Sequence, residues 1–390
     1  MENKNVLVVF GGKSFEHDIS IITTVIMMKN YTGGKYKLLP VYISKDNQWF
    51  FYTGEKLEVG LFKDFETTYR QKGFVKAFLK NQSKFLFYKK GIFEKSLPVY
   101  SVLNCCHGGA GENGDLNAIF GYNNIPISSG DVCAMGVSMN KLYTKFVLNG
   151  LKINCVKYVA IERDKYQSFK GKMLKEVENL GFPVIIKPSM LGSSIGISIA
   201  NNIKELEEAL NLAFEFDNEI LVESAILNGM KEYNVACLKT KNGIVVSEID
   251  YACRSDKILS FKDKYIGNNN TDGKKIAGGT KKCGGYLTIK KDFPAKVSDK
   301  LRNMLREMSL EVYEKLNLRG PVRIDFLVDK RGKVYLNELN AVPGSLAYYF
   351  FVPSIFKTLS QYIDNIIDYS IYENDKNKVL KKEYITNLIK

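Results

Sequence analysis

Hydrophobic and polar positions follow two periods along this chain. Asn5 to Phe10 is a short apolar run that Gly11-Gly12 breaks, and Ile19 to Tyr31 then carries apolar residues at helical spacing. The stretch from Val102 to Tyr122 repeats the plan: apolar run, glycine-rich turn, helix. Strands alternating with helices predict an α/β first domain with a parallel sheet. Ligands of such sheets sit beyond the carboxyl ends of the strands, where both glycine turns fall. Residues 40–100, rich in aromatics and lysine, predict short antiparallel strands.

Further on, 181–189 and 193–200 predict two strands around a Gly/Ser loop. Residues 202–216 predict an amphipathic helix, 219–226 a strand and 298–317 a long helix. Residues 321–341 alternate strictly and predict a hairpin turned at Asp329-Lys330-Arg331-Gly332. The one low-complexity stretch, 267–285, is too polar and glycine-rich to pack and reads as a mobile loop.

Composition narrows the class. The chain has 390 residues, 45% of them apolar, which suits two or three globular domains and excludes a disordered chain. No apolar run approaches the ~20 residues of a membrane span. The N-terminus lacks the basic, apolar and small-residue sequence of a signal peptide. Net charge is +14, but only eight of the 56 basic residues are Arg and the lysines are spread out. Nucleic-acid readers rely on Arg forks, so a lysine-rich surface and an anionic small substrate fit better. Seven cysteines without CxxC spacing indicate free thiols in a reducing cytoplasm.

Candidate chemistry concentrates in three places. Asp325 lies on the first strand of the hairpin, and Glu338 and Asn340 on the second, facing one side by the period of two. Oxygen ligands converging there suit Mg²⁺ held together with nucleotide phosphate, and Arg323 shares the face; an ordinary solvated hairpin is the plain alternative. Lys187 ends an apolar strand before Gly192-Ser193-Ser194, a loop able to wrap phosphates with its N–H groups or to be a simple turn. Glu223 ends another strand, placed to take a ribose hydroxyl, to orient a lysine or to form an ordinary salt bridge. The only two histidines, His17 and His107, lie in the glycine turns, where a pocket role competes with an ordinary buried or surface position.

Taken together, GGKSFEHDIS, HGGAGENGDLNAIF, IPISSGDVCAMGVSMNKLYTK, GFPVIIKPSMLGSSIGI, ILVESAI with Glu232, FKDKY and VRIDFLVDKRGKVYLNELNAVPG resemble the D-alanine–D-alanine ligase family of the ATP-grasp superfamily. They occur in family order over residues 5–353. The resemblance implies a mixed α/β, three-domain ATP-grasp fold: 1–134 an N-terminal parallel-sheet domain, 135–228 a central subdomain, 229–390 a C-terminal subdomain with the metal and catalytic residues. It implies a cytoplasmic enzyme, a homodimer with neither nucleic-acid nor membrane partners, that joins two D-alanines through an acylphosphate for peptidoglycan synthesis. Its cofactors would be ATP and two Mg²⁺, with Mn²⁺ as substitute.

Carried over by motif, Lys141, Lys187 and Ser194 would hold the phosphates. Glu223 and Glu232 would meet the ribose and nearby groups, with Ala225-Ile226 at the adenine. Asp325, Glu338 and Asn340 would carry the metals. Arg323 and the Gly344 N–H would stabilise the oxyanion, Glu16 the first ammonium, and Glu16, Ser193 and Tyr265 would close the site. His107, Lys264, Ser345 and Leu346 would face substrate.

Two features depart from the family pattern. The lid after Tyr265 carries a long insert, and the usual Asn-Thr-x-Pro-Gly-Phe-Thr reads Asn340-Ala341-Val342-Pro343-Gly344-Ser345-Leu346. The second substrate therefore stays open between D-alanine, D-serine and another amino acid, while Lys264-Tyr265 argues against D-lactate. A non-catalytic nucleotide-binding homologue is the remaining reading, which the intact carboxylates oppose.

Overall fold

A computed structural model describes residues 4–226, 229–252 and 291–380. The 267–285 stretch, Lys264 and Tyr265 lie outside them.

The first sheet contains β1 (Asn5–Gly11), β2 (Lys37–Ile43), β3 (Trp49–Tyr52), β4 (Phe74–Leu79), β5 (Phe85–Lys90), β6 (Phe93–Pro98) and β7 (Ser101–Asn104), in the order β6-β5-β4-β3-β2-β1-β7. β1 pairs in parallel with β2 and β7, and the strands beyond β2 are antiparallel. The predicted parallel sheet is thus the three-strand end, β2-β1-β7, of a mixed one.

β1 shows why an unbroken apolar run belongs between two parallel neighbours. Its alternate residues feed two cores: Val6, Val8 and Phe10 enter one, Leu7 and Val9 the other. Against the first face pack α1 (His17–Asn30) and α9 (Leu359–Lys378); against the second packs α3 (Asp115–Tyr122), through Leu116 and Phe120. A short α2 (Phe65–Thr68) caps the antiparallel wing. At the end of β1, Gly11 has φ +90, and a Cβ there would lie 2.2 Å from the Ile43 carbonyl oxygen. Only glycine lets the chain leave the strand at that point.

α4 (Val132–Met139) and α5 (Lys141–Gly150) lead to the second sheet, β10-β9-β11-β8, wholly antiparallel: β8 (Tyr158–Glu162), β9 (Val184–Pro188), β10 (Ser198–Ala200) and β11 (Glu219–Ser224). α6 (Arg163–Leu180) and α7 (Ile203–Ala213) cover one face, where Val184, Ile186, Ile220 and Val222 are buried. Lys187 and Glu223, one residue out of phase, emerge on the other.

The third sheet runs β15-β14-β12-β16-β17 with β13 beside β12. Its strands are β12 (Lys231–Thr240), β13 (Gly243–Val246), β14 (Asp250–Ala252), β15 (Lys291–Asp292), β16 (Val322–Val328) and β17 (Val334–Asn340). In β16, Val322, Ile324, Phe326 and Val328 enter a core under α8 (Asp299–Lys315), which leaves Arg323 and Asp325 on the opposite face. Among the described residues no helix is long and apolar enough to cross a membrane, and the five cysteines are free thiols.

Candidate active site

One cleft collects residues from all three sheets: Glu16, His107, Glu112, Lys141, Ser193, Arg323, Glu338, Asn340 and Gly344 among them. Its floor is the 322–340 hairpin. Arg323 stands opposite Asn340 and Asp325 opposite Glu338, after which the register shifts and Phe326 pairs with Leu336. That bulge leaves Asn337 unpaired on the cleft side, where its Oδ1 accepts from Lys187 Nζ at 3.2 Å.

Arg323 and Asp325 form a two-pronged ion pair: Nε to Oδ1 and Nη2 to Oδ2, both 2.7 Å. Both side chains are buried. Asn340 Nδ2 donates to Asp325 Oδ2 at 3.2 Å, and the Asn234 amide, its nitrogen turned inward, donates to Oδ1 at 3.1 Å. The donor set of Asp325, Glu338 and Asn340 is all oxygen, which fits Mg²⁺ or another hard cation. Among the described residues no group of three His, Cys, Asp or Glu could hold a metal.

Lys141, Lys145 and Lys187 gather around Glu223 on the adjoining wall. Glu223 is buried, and its two oxygens are both taken, Oε1 by Lys145 at 2.7 Å and Oε2 by Lys187 at 2.6 Å. These ion pairs agree with both the lysine-orienting and the plain salt-bridge readings of Glu223. Lys145 is a residue that sequence reading missed; its signal was a lysine four positions after Lys141, on the helix face that also buries Leu148. Lys141 Nζ donates to the Leu191 carbonyl, and burial lowers its pKa. Ala225 and Ile226 follow β11, but the Ala225 N–H is committed to the Pro183 carbonyl at 3.0 Å, which leaves its carbonyl for a base. Glu232 is buried on β12, on the same side as Asn234.

Burial works against the Glu223 charge, but the Lys187 and Lys145 ammoniums outweigh it and bring the carboxyl down to about 2. Its folded value lies below the ordinary 4.5, so this stabilisation is complete above pH 4.5 and is lost as pH falls toward 2. Glu223→Gln leaves two ammoniums without their carboxylate and should destabilise the fold by about 3–5 kcal/mol at neutral pH. Chemical denaturation at pH 7 measures this; a loss below 1 kcal/mol would show the cluster to be hydrated.

Glu16 is held close. Ser193 Oγ donates to Glu16 Oε1, and a Cβ on Gly108 would come within 2.8 Å of Oε2. Ser193 and Ser194 have φ +54 and +61, left-handed conformations that cost non-glycine residues about 1–3 kcal/mol and cluster at functional sites. Burial and then the Glu16 charge push the Glu112 carboxyl well above the ordinary range, and the Gly108 N–H donates to its Oε1 at 2.9 Å. Glu112 also escaped sequence reading, because one acidic residue in a glycine turn carries no pattern of its own.

Three expectations are corrected. Leu346 does not reach the cleft: it is 2% exposed, packed in the first core, and its carbonyl accepts from Tyr362 Oη. For Ser345 the change concerns the backbone alone: its N–H is bonded to Thr23 Oγ1 at 3.1 Å and is not left for substrate. A pocket role for His17 also fails. It is buried between the Gly12 carbonyl, 2.7 Å from Nδ1, and Tyr42 Oη, 3.0 Å from Nε2, and burial lowers its pKa.

Comparison with known proteins adds a second line. Residues 5–129 match the family model described as D-ala D-ala ligase N-terminus, and 147–368 the model of the D-ala D-ala ligase C-terminus. The D-alanine–D-alanine ligase of Thermosipho melanesiensis is 33% identical over 387 residues, covering 99% of this chain and 98% of that protein. That of Clostridium acetobutylicum is 32% identical, with 95% and 99% covered. Among solved structures, the VanG D-Ala:D-Ser ligase from Enterococcus faecalis superposes with TM-score 0.77 at 26% identity, over 95% of this chain and 100% of that one. The Coxiella burnetii D-alanine–D-alanine ligase, at 19% identity and TM-score 0.74 over 97% of each chain, shares the fold.

Proposed function

The chain belongs to the D-alanine–D-alanine ligase family, an ATP-grasp family of ATP-dependent carboxylate–amine ligases, and from that premise we propose that it joins two D-alanines to supply peptidoglycan precursors. ATP phosphorylates the carboxylate of the first D-alanine. The amine of the second attacks the acylphosphate carbon, phosphate leaves, and the products are D-alanyl-D-alanine, ADP and phosphate.

The single observation carrying this reading is the cleft that places Glu16 with Arg323, Gly344, Lys141 and Glu338. Glu16 receives the ammonium of the first substrate. Lys141 and Lys187 oppose the phosphate charge, and Ser194 stands in the loop beside them. Glu223 keeps Lys187 in place, Glu232 and the Ala225-Ile226 backbone serve the nucleoside, and Arg323 with the Gly344 N–H takes the charge that develops on the attacked carbonyl. Asp325, Glu338 and Asn340 would hold divalent cations, which would supply charge neutralisation for phosphoryl transfer; we assign two Mg²⁺, replaceable by Mn²⁺. His107 shapes the second-substrate side. Lys264 and Tyr265, with Ser193, would complete closure over the acylphosphate, which water would otherwise destroy. We further propose that the enzyme works as a cytoplasmic homodimer of three-domain subunits divided near residues 134 and 228.

The test is phosphate release with each D- and L-amino acid, alone and paired, and mass determination of the product. D-Alanine should be the best second substrate and D-serine, which differs by one hydroxyl, the nearest competitor. Bulky D-amino acids should be poor. An L-amino acid outperforming D-alanine would refute the assignment.

A further inference from the structure

Thr23, on α1, is 1% exposed and joins two loops far apart in sequence. Its Oγ1 lies 2.9 Å from His107 Nε2 and accepts the Ser345 N–H at 3.1 Å. The other ring nitrogen, His107 Nδ1, lies 2.6 Å from the Val342 carbonyl oxygen. A carbonyl only accepts, so Nδ1 carries the proton. Burial brings the His107 pKa down to about 4, so at neutral pH the ring is uncharged and Nε2 is an acceptor. Every direction is then set. Ser345 N–H donates to Thr23, Thr23 O–H to His107, and His107 N–H to Val342. The circuit closes through the backbone from Val342 to Ser345, and Gly344 lies inside it.

That turn needs holding. Ser345, Leu346 and Ala347 have φ of +51, +50 and +52, three successive left-handed residues without a glycine among them. We propose that Thr23 is a positioning residue for the ligase reaction: through its paired bonds to His107 and Ser345 it locks the 342–345 turn to the N-terminal domain and so sets the aim of the Gly344 N–H. This rests on the reading that the Gly344 N–H meets the oxyanion. It also gives His107 a structural task, since both of its nitrogens are spent on the circuit.

Three full-length variants test it. Thr23→Val keeps the shape and removes the hydroxyl; Thr23→Ser keeps the hydroxyl. Misaiming a reacting group by about 1 Å costs on the order of 10²-fold. Thr23→Val should therefore lose roughly 10- to 100-fold in kcat for D-alanine-dependent phosphate release, with KM for ATP changed less than about twofold. Thr23→Ser should stay within about threefold of the parent. Because the chain has two histidines, ¹⁵N imidazole spectra without substrate resolve the hydrogen bond itself. His107 Nε2 should shift in Thr23→Val and not in Thr23→Ser, with His17 unmoved. If Thr23→Val does not fold, Thr23→Ala is measured in the same way. A kcat within threefold of the parent in the hydroxyl-free variant, a serine variant as slow as valine, or an unmoved His107 resonance each overturns the proposal. If the parent releases no phosphate with any amino acid, the ligase reading fails and the positioning role with it, while the nitrogen shift still reports whether the circuit exists.

Discussion

Arg323→Lys should cost ~10²–10³-fold in kcat, the usual loss when one oxyanion donor is removed. The charge survives this change, but the geometry does not. The guanidinium presents Nε and Nη2 to the two Asp325 oxygens at once, and an ammonium reaches only one of them. A lysine that turns to satisfy Asp325 points away from the substrate carbonyl, and one that turns to the substrate leaves Asp325 short of a partner. Steady-state phosphate release at saturating ATP and D-alanine, with a thermal melt to correct for folding, measures the effect. A change below tenfold would make Arg323 a structural residue that merely lines the cleft.

Glu338→Gln and Asp325→Asn should each abolish measurable turnover, with partial recovery as Mg²⁺ is raised, because each removes a charged oxygen from a hard-cation donor set. Their effects on stability should differ. Asp325 is the two-pronged partner of buried Arg323, so its neutralisation should also lower unfolding free energy by about 3 kcal/mol. Glu338 lines the cleft and is less buried than Asp325, so its replacement should lower the melting temperature less. Binding of Mn²⁺ followed by electron paramagnetic resonance provides a readout independent of turnover. Normal activity in both variants at ordinary Mg²⁺ would place the metals elsewhere.

The hairpin that carries these residues was the most legible part of the sequence, since strict alternation over 322–340 fixes which side chains share a face. Its bulge was not legible: VYLNELN alternates as smoothly with an extra residue as without one, and only pairing against Asp325 and Phe326 exposes Asn337. α6 was missed because Tyr166 and Val177 alone are buried along its 18 residues, too few for an apolar stripe. At the site, motif matching suggested roles residue by residue, yet it passed over Glu112 and Lys145, which lie inside the motifs, and Thr23, which lies outside them, since each acts through a partner that folding alone brings within reach.

The core around Phe10 contains Phe350, Phe351, Tyr362, Ile363, Ile366 and Ile367 from the far end of the chain. Polar contacts reinforce it: Tyr31 Oη donates to Asp364 at 2.5 Å, Tyr36 Oη to Asp368 at 2.6 Å, and Ser101 meets Ser370 at 2.8 Å. Dissection by sequence boundaries would therefore mislead. A fragment ending between the two matched family regions would bare the apolar face that α9 covers, and a premature stop before residue 359 would unfold the beginning of the protein as well as its end. Conversely, a backbone nicked near residue 140 should stay one particle, its halves holding each other through a shared interior.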